Sequence, residues 1–295
     1  MINKLEYFMA LARVGHFGKA AEECGVSQPS FSTGIRQLED QLGVLLVQRG
    51  ARFQGLTPEG ERVLEWSRRI VADTRAMKEE MRNVRHGLAG HVRIAAIPTA
   101  LAMVQKLTVP FRARHPGVTF TVRSAASDEI LTLLENFEIE AGITYLDGEA
   151  LGKVQTVPLF DERYFLVLAK GSPFAGRGSV SWVEAAKLDL CLLTSDMQNR
   201  RIIDGYFRSA GTQVRPPLES NSVIALFSHL ETGLWASILP GSLLQAFGSE
   251  GVFDAIPLDG PDTCQRVGLV AQLRNPAMPL VSALFSVAKS IDNLK

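Results

Sequence analysis

Residues 17–43, FGKAAEECGVSQPSFSTGIRQLEDQLG, constrain the fold more tightly than any other stretch of the 295-residue chain. Two short helical runs flank Gly25, leaving room for a turn of only three or four residues between them. In the second run Phe31, Ile35, Leu38 and Leu42 recur at the three-and-four spacing that lines one helical face, so this face belongs to a core. Ser27 suits an N-cap. Pro29 falls in the first turn, where a missing N–H costs nothing, so the proline starts the helix instead of breaking it. Gly25 follows Cys24 where a helix end favours a residue tolerant of positive φ. Two short helices joined this way make a helix-turn-helix, whose second helix enters the major groove of DNA. On an isolated helix the face opposite the apolar stripe would simply be solvated. Here it carries Pro29, Thr33, Arg36 and Asp40, flanked by Ser30, Ser32 and Gln37: short hydrogen-bonding groups, one cation and one carboxylate, of which Ser30, Ser32, Thr33 and Arg36, with Gln28, suit base edges and phosphates.

The flanks extend this reading. Leu5, Phe8, Met9 and Ala12 mark an earlier amphipathic helix closed by Gly15. After the third helix, VLLVQRGARFQGLTPEG reads as a small β-wing, with Arg49 and Arg52 at its tip as candidate phosphate contacts. Thr57 then caps a helix that starts at Pro58, and Val63, Ser67, Ile70, Thr74, Met77, Met81, Val84 and Leu88 follow at steps of four and three. So narrow a seam on a long charged helix needs a partner, which makes Val63, Ile70, Met77, Met81 and Val84 candidate dimer contacts.

The string AAEECGVSQPSFSTGIRQLEDQLGVLLVQR, followed by LTPEG, resembles the winged helix-turn-helix signature of the LysR-type transcriptional regulators over about the first sixty residues. The resemblance reaches toward the subgroup associated with formate dehydrogenase operons. It implies an all-α winged head at 1–58, a dimerising linker helix at 59–89, and a bilobal α/β effector-binding domain resembling periplasmic binding proteins at 90–295. It also implies homodimers that pair into tetramers, activation of a neighbouring operon and repression of the protein's own gene. Two positions depart from the family pattern. Thr33 stands where a longer or basic residue is common, and Gly34 costs a helix interior about 1 kcal/mol against Ala.

Beyond residue 90 the texture alternates between strand and helix, which predicts parallel sheets with helices on their faces. HVRIAAI, VTFTVRSA and the end of EIEAGITYL read as strands, with a helix between the first two capped by Thr99. A second unit of the same kind begins near Glu162. The resemblance adds that the last segment returns to the first lobe, giving lobe I as 90–161 and 266–295 and lobe II as 162–265. Ligands of such sheets bind at helix N-termini beyond the strand ends, where Thr99, Ala100 and Ser127 fall. Gln198, Asn199 and Arg200 at the front of another helix would favour an anion, so the expected effector is a small organic anion.

What is missing narrows the function classes. No G-x-S-x-G elbow, P-loop or dinucleotide fingerprint occurs, and the five histidines lack metal-ligand spacing, so the expectation is no enzyme, no metal and no cofactor. The alternative is a small-molecule-binding protein or enzyme built on the bilobal part alone, which would leave residues 1–90 without a use. Three cysteines, odd in number and without C-x-x-C spacing, predict no disulfide framework. The N-terminus has no apolar signal core and no run is long enough to span a membrane, so a cytoplasmic location is expected. Net charge is zero, so any affinity for DNA rests on where the cations are placed.

Overall fold

The structure, a computed structural model, describes residues 1–48, 53–246, 251–260 and 264–291, and only the backbone of Glu79 and residues 82–86. These residues form two compact units, Met1–Gly87 and Leu88–Lys295. Arg49 and Arg52 lie outside the described residues, as does the side chain of Val84.

The first unit holds α1 (Ile2–Val14), α2 (Phe17–Glu23), α3 (Gln28–Leu42) and α4 (Pro58–His86). Local chemistry sets the boundaries. Gly15 ends α1 in the left-handed region at φ 67°, and the His16 ring accepts the first N–H groups of α2. Ser27 Oγ accepts the Ser30 N–H at 3.4 Å and opens α3. Phe8, Leu11, Phe31, Ile35, Leu38 and Leu46 are almost entirely buried in the core of this unit, each worth about 1.5–3 kcal/mol. Leu42, assigned to the same face by spacing, is instead exposed at the helix end.

The chain then turns into a short antiparallel bridge between Val47 and Leu56, on either side of the segment expected to form the wing. Glu39 of α3 accepts the N–H groups of Leu46 (2.8 Å) and Val47 (3.3 Å), tying this segment to α3. Thr57 Oγ1 accepts the Gly60 N–H at 2.9 Å and starts α4. Gly60 permits a close crossing, because a Cβ there would sit 2.1 Å from the Leu46 carbonyl oxygen.

The seam of α4 divides. Val63 packs against the core of its own unit, and Ser67 is wholly buried there, its hydroxyl donating to the Val63 carbonyl at 2.6 Å. Ile70, Met77 and Met81 are exposed, and so is Trp66, an apolar residue outside the expected seam.

The second unit has two lobes. Lobe I is a five-stranded sheet in the order β2-β1-β3-β10-β4, built from β1 (Gly90–Ala96), β2 (Val118–Ser124), β3 (Ala141–Tyr145), β4 (Val154–Glu162) and β10 (Gln265–Gln272). β1, β2 and β3 are parallel, while β10 pairs antiparallel with both β3 and β4. The expectation of a parallel sheet is therefore corrected for one strand: β10 comes back from the other lobe and crosses the sheet in reverse, while β4 runs in the direction of β1, β2 and β3. α5 (Gln105–Arg114), α6 (Ser127–Glu135) and α11 (Pro279–Ser290) pack onto this sheet. A 3-10 turn, Pro98–Met103, precedes α5; its N-cap is Ile97, so Thr99 does not cap it and lies one residue inside.

Lobe II pairs β5 (Tyr164–Ala169) antiparallel with β8 (Ala236–Pro240) and β9 (Phe253–Pro257). A parallel pair, β6 (Cys191–Leu193) and β7 (Leu218–Ser220), joins them through a bridge between Leu190 and Ala236. Its helices are α7 (Trp182–Ala185), α8 (Gln198–Ser209), α9 (Val223–Leu230) and α10 (Gly241–Ala246). One crossing between the lobes is very short: β4 ends at Glu162 and β5 begins at Tyr164.

Candidate functional site

Gln28, Pro29, Ser30, Thr33 and Arg36 are exposed on α3, and Ser32 is half-buried. The two odd positions of the motif have local causes. Gly34 is buried beneath Tyr7 of α1, where a Cβ would approach the ring to 2.9 Å, and the same ring stacks on Phe31 at 5.2 Å between centroids. Thr33 donates its hydroxyl to the Pro29 carbonyl at 2.9 Å. Its proton is thereby used inside the helix, and what it presents outward is a methyl group and an acceptor oxygen.

In the second unit a cleft of about 490 Å³ opens between the lobes. Lobe I lines it with the 3-10 turn (Pro98, Leu101, Ala102) and the approach to α6 (Ser124–Ala126, Glu129); lobe II adds Asp196, Met197, Asn221–Ile224 and Leu243. The amino ends of two helices meet this space. The N-cap of α6 is Ala126, which has no acceptor side chain, and the N-cap of α9 is Ser222, whose hydroxyl makes no capping bond. No Lys, Arg or His is among the lining residues, whereas two carboxylates are.

The residues expected to hold an effector are placed otherwise. Thr99, Ala100 and Ser127 are buried beside the lining and not within it, and the Ser127 hydroxyl has no hydrogen-bond partner among the described residues. Gln198, Asn199 and Arg200 are each about 5% exposed or less. Gln198 donates to the Asp147 carbonyl at 3.3 Å. Arg200 donates from Nε to Asp204 at 2.9 Å, and from Nη1 to Glu219 at 2.6 Å and to the Leu193 carbonyl at 3.0 Å. Two carboxylates already neutralise it, so its assignment as an anion ligand is corrected: it ties α8 to β6 and β7. Arg201 pairs with Glu149.

Asn199 belongs to a polar cluster that spans the lobes and that sequence reasoning missed. The Tyr145 hydroxyl donates to Glu162 Oε2 at 2.7 Å and lies 3.1 Å from the Tyr164 hydroxyl. Asn199 donates to both tyrosines at 3.3–3.4 Å, and the Thr99 hydroxyl is 3.5 Å from that of Tyr145. Glu162 is fully buried, with no cation contributing to its environment, and burial lifts its pKa from 4.5 to about 7 against the pull of the Tyr145 and Thr99 hydroxyls. Burial also raises both tyrosines well above their ordinary value. Glu162 Oε1 and Asn199 Oδ1 have no partner among the described residues. The one available signal in the sequence is a carboxylate ending the apolar run VPLFDE, which forms the second half of β4.

A helix-turn-helix unit followed in the chain by a bilobal α/β unit with a cleft defines a class, and sequence comparison agrees. The pattern described as the LysR substrate binding domain matches residues 85–291, and the bacterial regulatory helix-turn-helix of the lysR family matches 2–61. The chain belongs to the LysR family: it is a LysR-type DNA-binding transcriptional regulator with an effector-binding domain.

Particular relatives follow. The chain is 28% identical to the DNA-binding transcriptional dual regulator OxyR of Escherichia coli K12, over 98% of this chain and 94% of that one. It is 26% identical to the hydrogen peroxide-inducible genes activator of Haemophilus influenzae, over 100% and 99%. A full-length OxyR variant from Pseudomonas aeruginosa superposes with a TM-score of 0.76 at 26% identity, covering 99% and 94% of the two chains. CbnR, solved with its target DNA, shares the fold, with a TM-score of 0.68 at 20% identity over 99% and 100%. These relatives are regulators, not enzymes, and they do not support the formate dehydrogenase subgroup. No helix among the described residues is long and apolar enough to cross a membrane.

Proposed function

We propose that this regulator is controlled by a small monocarboxylate held in the interlobe cleft, its anionic end on the backbone N–H groups that open α6 and α9. The observation that carries this reading is the pair of helix amino ends at one cleft of ligand size, neither with a capping bond from its N-cap side chain; at α6 Asp128 takes the Glu129 N–H at 3.0 Å, so the donors offered there are those of Ser127 and Asp128. Such ends carry partial positive charge and free donors. Glu129 and Asp196 in the same lining disfavour a second negative charge, and the apolar remainder suits a short hydrocarbon body. Arg200 takes no part.

In this reading residues 1–58 form the DNA head, with Gln28, Ser30, Ser32, Thr33 and Arg36 on the groove and Arg49 and Arg52 on phosphates. Residues 59–89 join two copies through Trp66, Ile70, Met77 and Met81, and pairs of dimers form tetramers. Ligand binding changes how the lobes sit, and with them the spacing of the heads on DNA.

The names of several relatives raise peroxide as the signal. The thiols at 24 and 191 speak against that chemistry, because the reactive form is the thiolate. Cys191 is wholly buried and burial pushes it up to about 11; burial and the nearby Glu23 and Glu6 raise Cys24. A thermal-shift screen of the full chain with mono- and dicarboxylates tests the proposal, since a ligand that binds only the folded state raises its melting temperature. Stabilisation by monocarboxylates but not dicarboxylates is expected. Stabilisation by neither, with a response to peroxide instead, would remove it.

A further inference from the structure

We infer that the first turns of α1 complete the DNA-reading surface, with Lys4, beside Asn3 and Tyr7, taking a backbone phosphate at the edge of the groove that α3 enters. The inference rests on α3 being the reading helix. Nothing in the helix-turn-helix pattern points to α1, whose sequence role ends with a core face of Leu5, Phe8 and Ala12.

The geometry adds to that role. A surface groove of about 500 Å³ is lined on one side by Pro29, Ser30, Thr33, Gly34 and Gln37, all from α3, and on the other by Asn3, Lys4 and Tyr7. The outward polar residues of the reading helix therefore share one concavity with a cation on a different helix. The close approach depends on Gly34. With no Cβ there, the Tyr7 ring lies directly on the α3 backbone, and its stack on Phe31 fixes the orientation of α1 against α3. An alanine would require the ring to move and would shift α1 relative to the reading face. The unusual glycine of the motif thus has a second consequence: it brings the first turns of α1 up beside Ser30 and Thr33.

Charge fits the same assignment. No carboxylate lines the groove, and Lys4 makes no ion pair among the described residues. A lysine ammonium is a compact charge that meets a phosphate without needing a fixed angle, so it adds affinity without reading sequence. Each phosphate neutralised in this way releases condensed counterions, which makes the contact measurable through salt.

The test uses the full-length protein and a duplex enriched by the wild-type chain from a random-sequence pool, with an unrelated duplex of equal length as control. Lys4→Ala should weaken binding several-fold, to a similar extent on both duplexes. It should also lower the slope of log affinity against log salt by about one. Lys4→Arg should restore both, and the melting temperature should not change in either variant. Gly34→Ala should reproduce the loss of slope while leaving Lys4 in place. If Lys4→Ala binds with unchanged affinity and slope while Arg36→Ala is weakened, the inference fails and the reading helix stands. If the wild-type chain enriches no duplex, the assignment of α3 fails and takes this inference with it.

Discussion

Helices α3 and α8 begin alike in the sequence, one with Gln-Pro-Ser and a later arginine, the other with Gln-Asn-Arg-Arg, yet they do opposite things with those groups. On α3 Gln28, Ser30, Thr33 and Arg36 stay exposed. On α8 Gln198, Asn199 and Arg200 are buried and donate to neighbours within the fold, while the partly exposed Arg201 pairs with Glu149. A polar, cationic helix front is therefore not by itself a binding site. What decides is whether tertiary partners have already satisfied its donors, and Arg200, with Asp204 and Glu219 against it, is saturated where Arg36 is not.

The sharpest way to break this contrast is to remove each arginine in turn. Arg200→Ala should cost about 2–3 kcal/mol of stability in urea unfolding, since it removes the hydrogen bonds of a buried guanidinium to Asp204, Glu219 and the Leu193 carbonyl, the two carboxylates being themselves partly exposed. A change below about 0.5 kcal/mol, together with a lost ligand response, would restore Arg200 as an effector contact.

Glu162 comes next in expected size, and it concerns the same helix through Asn199. Its folded pKa of about 7 lies above its ordinary 4.5, so the native state holds a proton that the unfolded chain has released. The contribution is complete below about pH 4.5, declines as pH rises toward 7, and is absent above it. Melting temperature should therefore fall across this window. Glu162→Gln should flatten that slope and be more stable than the wild type near pH 8, by on the order of 2 kcal/mol. An unchanged slope would mean that the carboxyl is ionised in place.

Arg36→Ala should have the smallest effect on folding and a clear effect on binding. Its stability should stay within about 0.5 kcal/mol of the wild type, while affinity for the selected duplex falls several-fold. A variant that binds normally would make the α3 face as uninvolved as that of α8.

These comparisons also separate what could be read early from what could not. The amino-acid sequence by itself determined the local devices: the Ser27 and Thr57 caps, the positive-φ glycines that end α1 and precede α3, the periodic face of Phe31, Ile35 and Leu38. Each of these acts within a few residues, through one backbone bond or one helical turn, so spacing is enough to reveal it. The tertiary structure alone decided the rest. Tyr7 lies on Gly34, Ser67 turns into its own core, and β10 runs in reverse beside β3 and β4. Residues from 99 to 199 meet at Glu162, and the polar front of α8 becomes part of the interior. In each case the partner is far away in sequence, and burial and pairing with distant groups leave no trace in local periodicity.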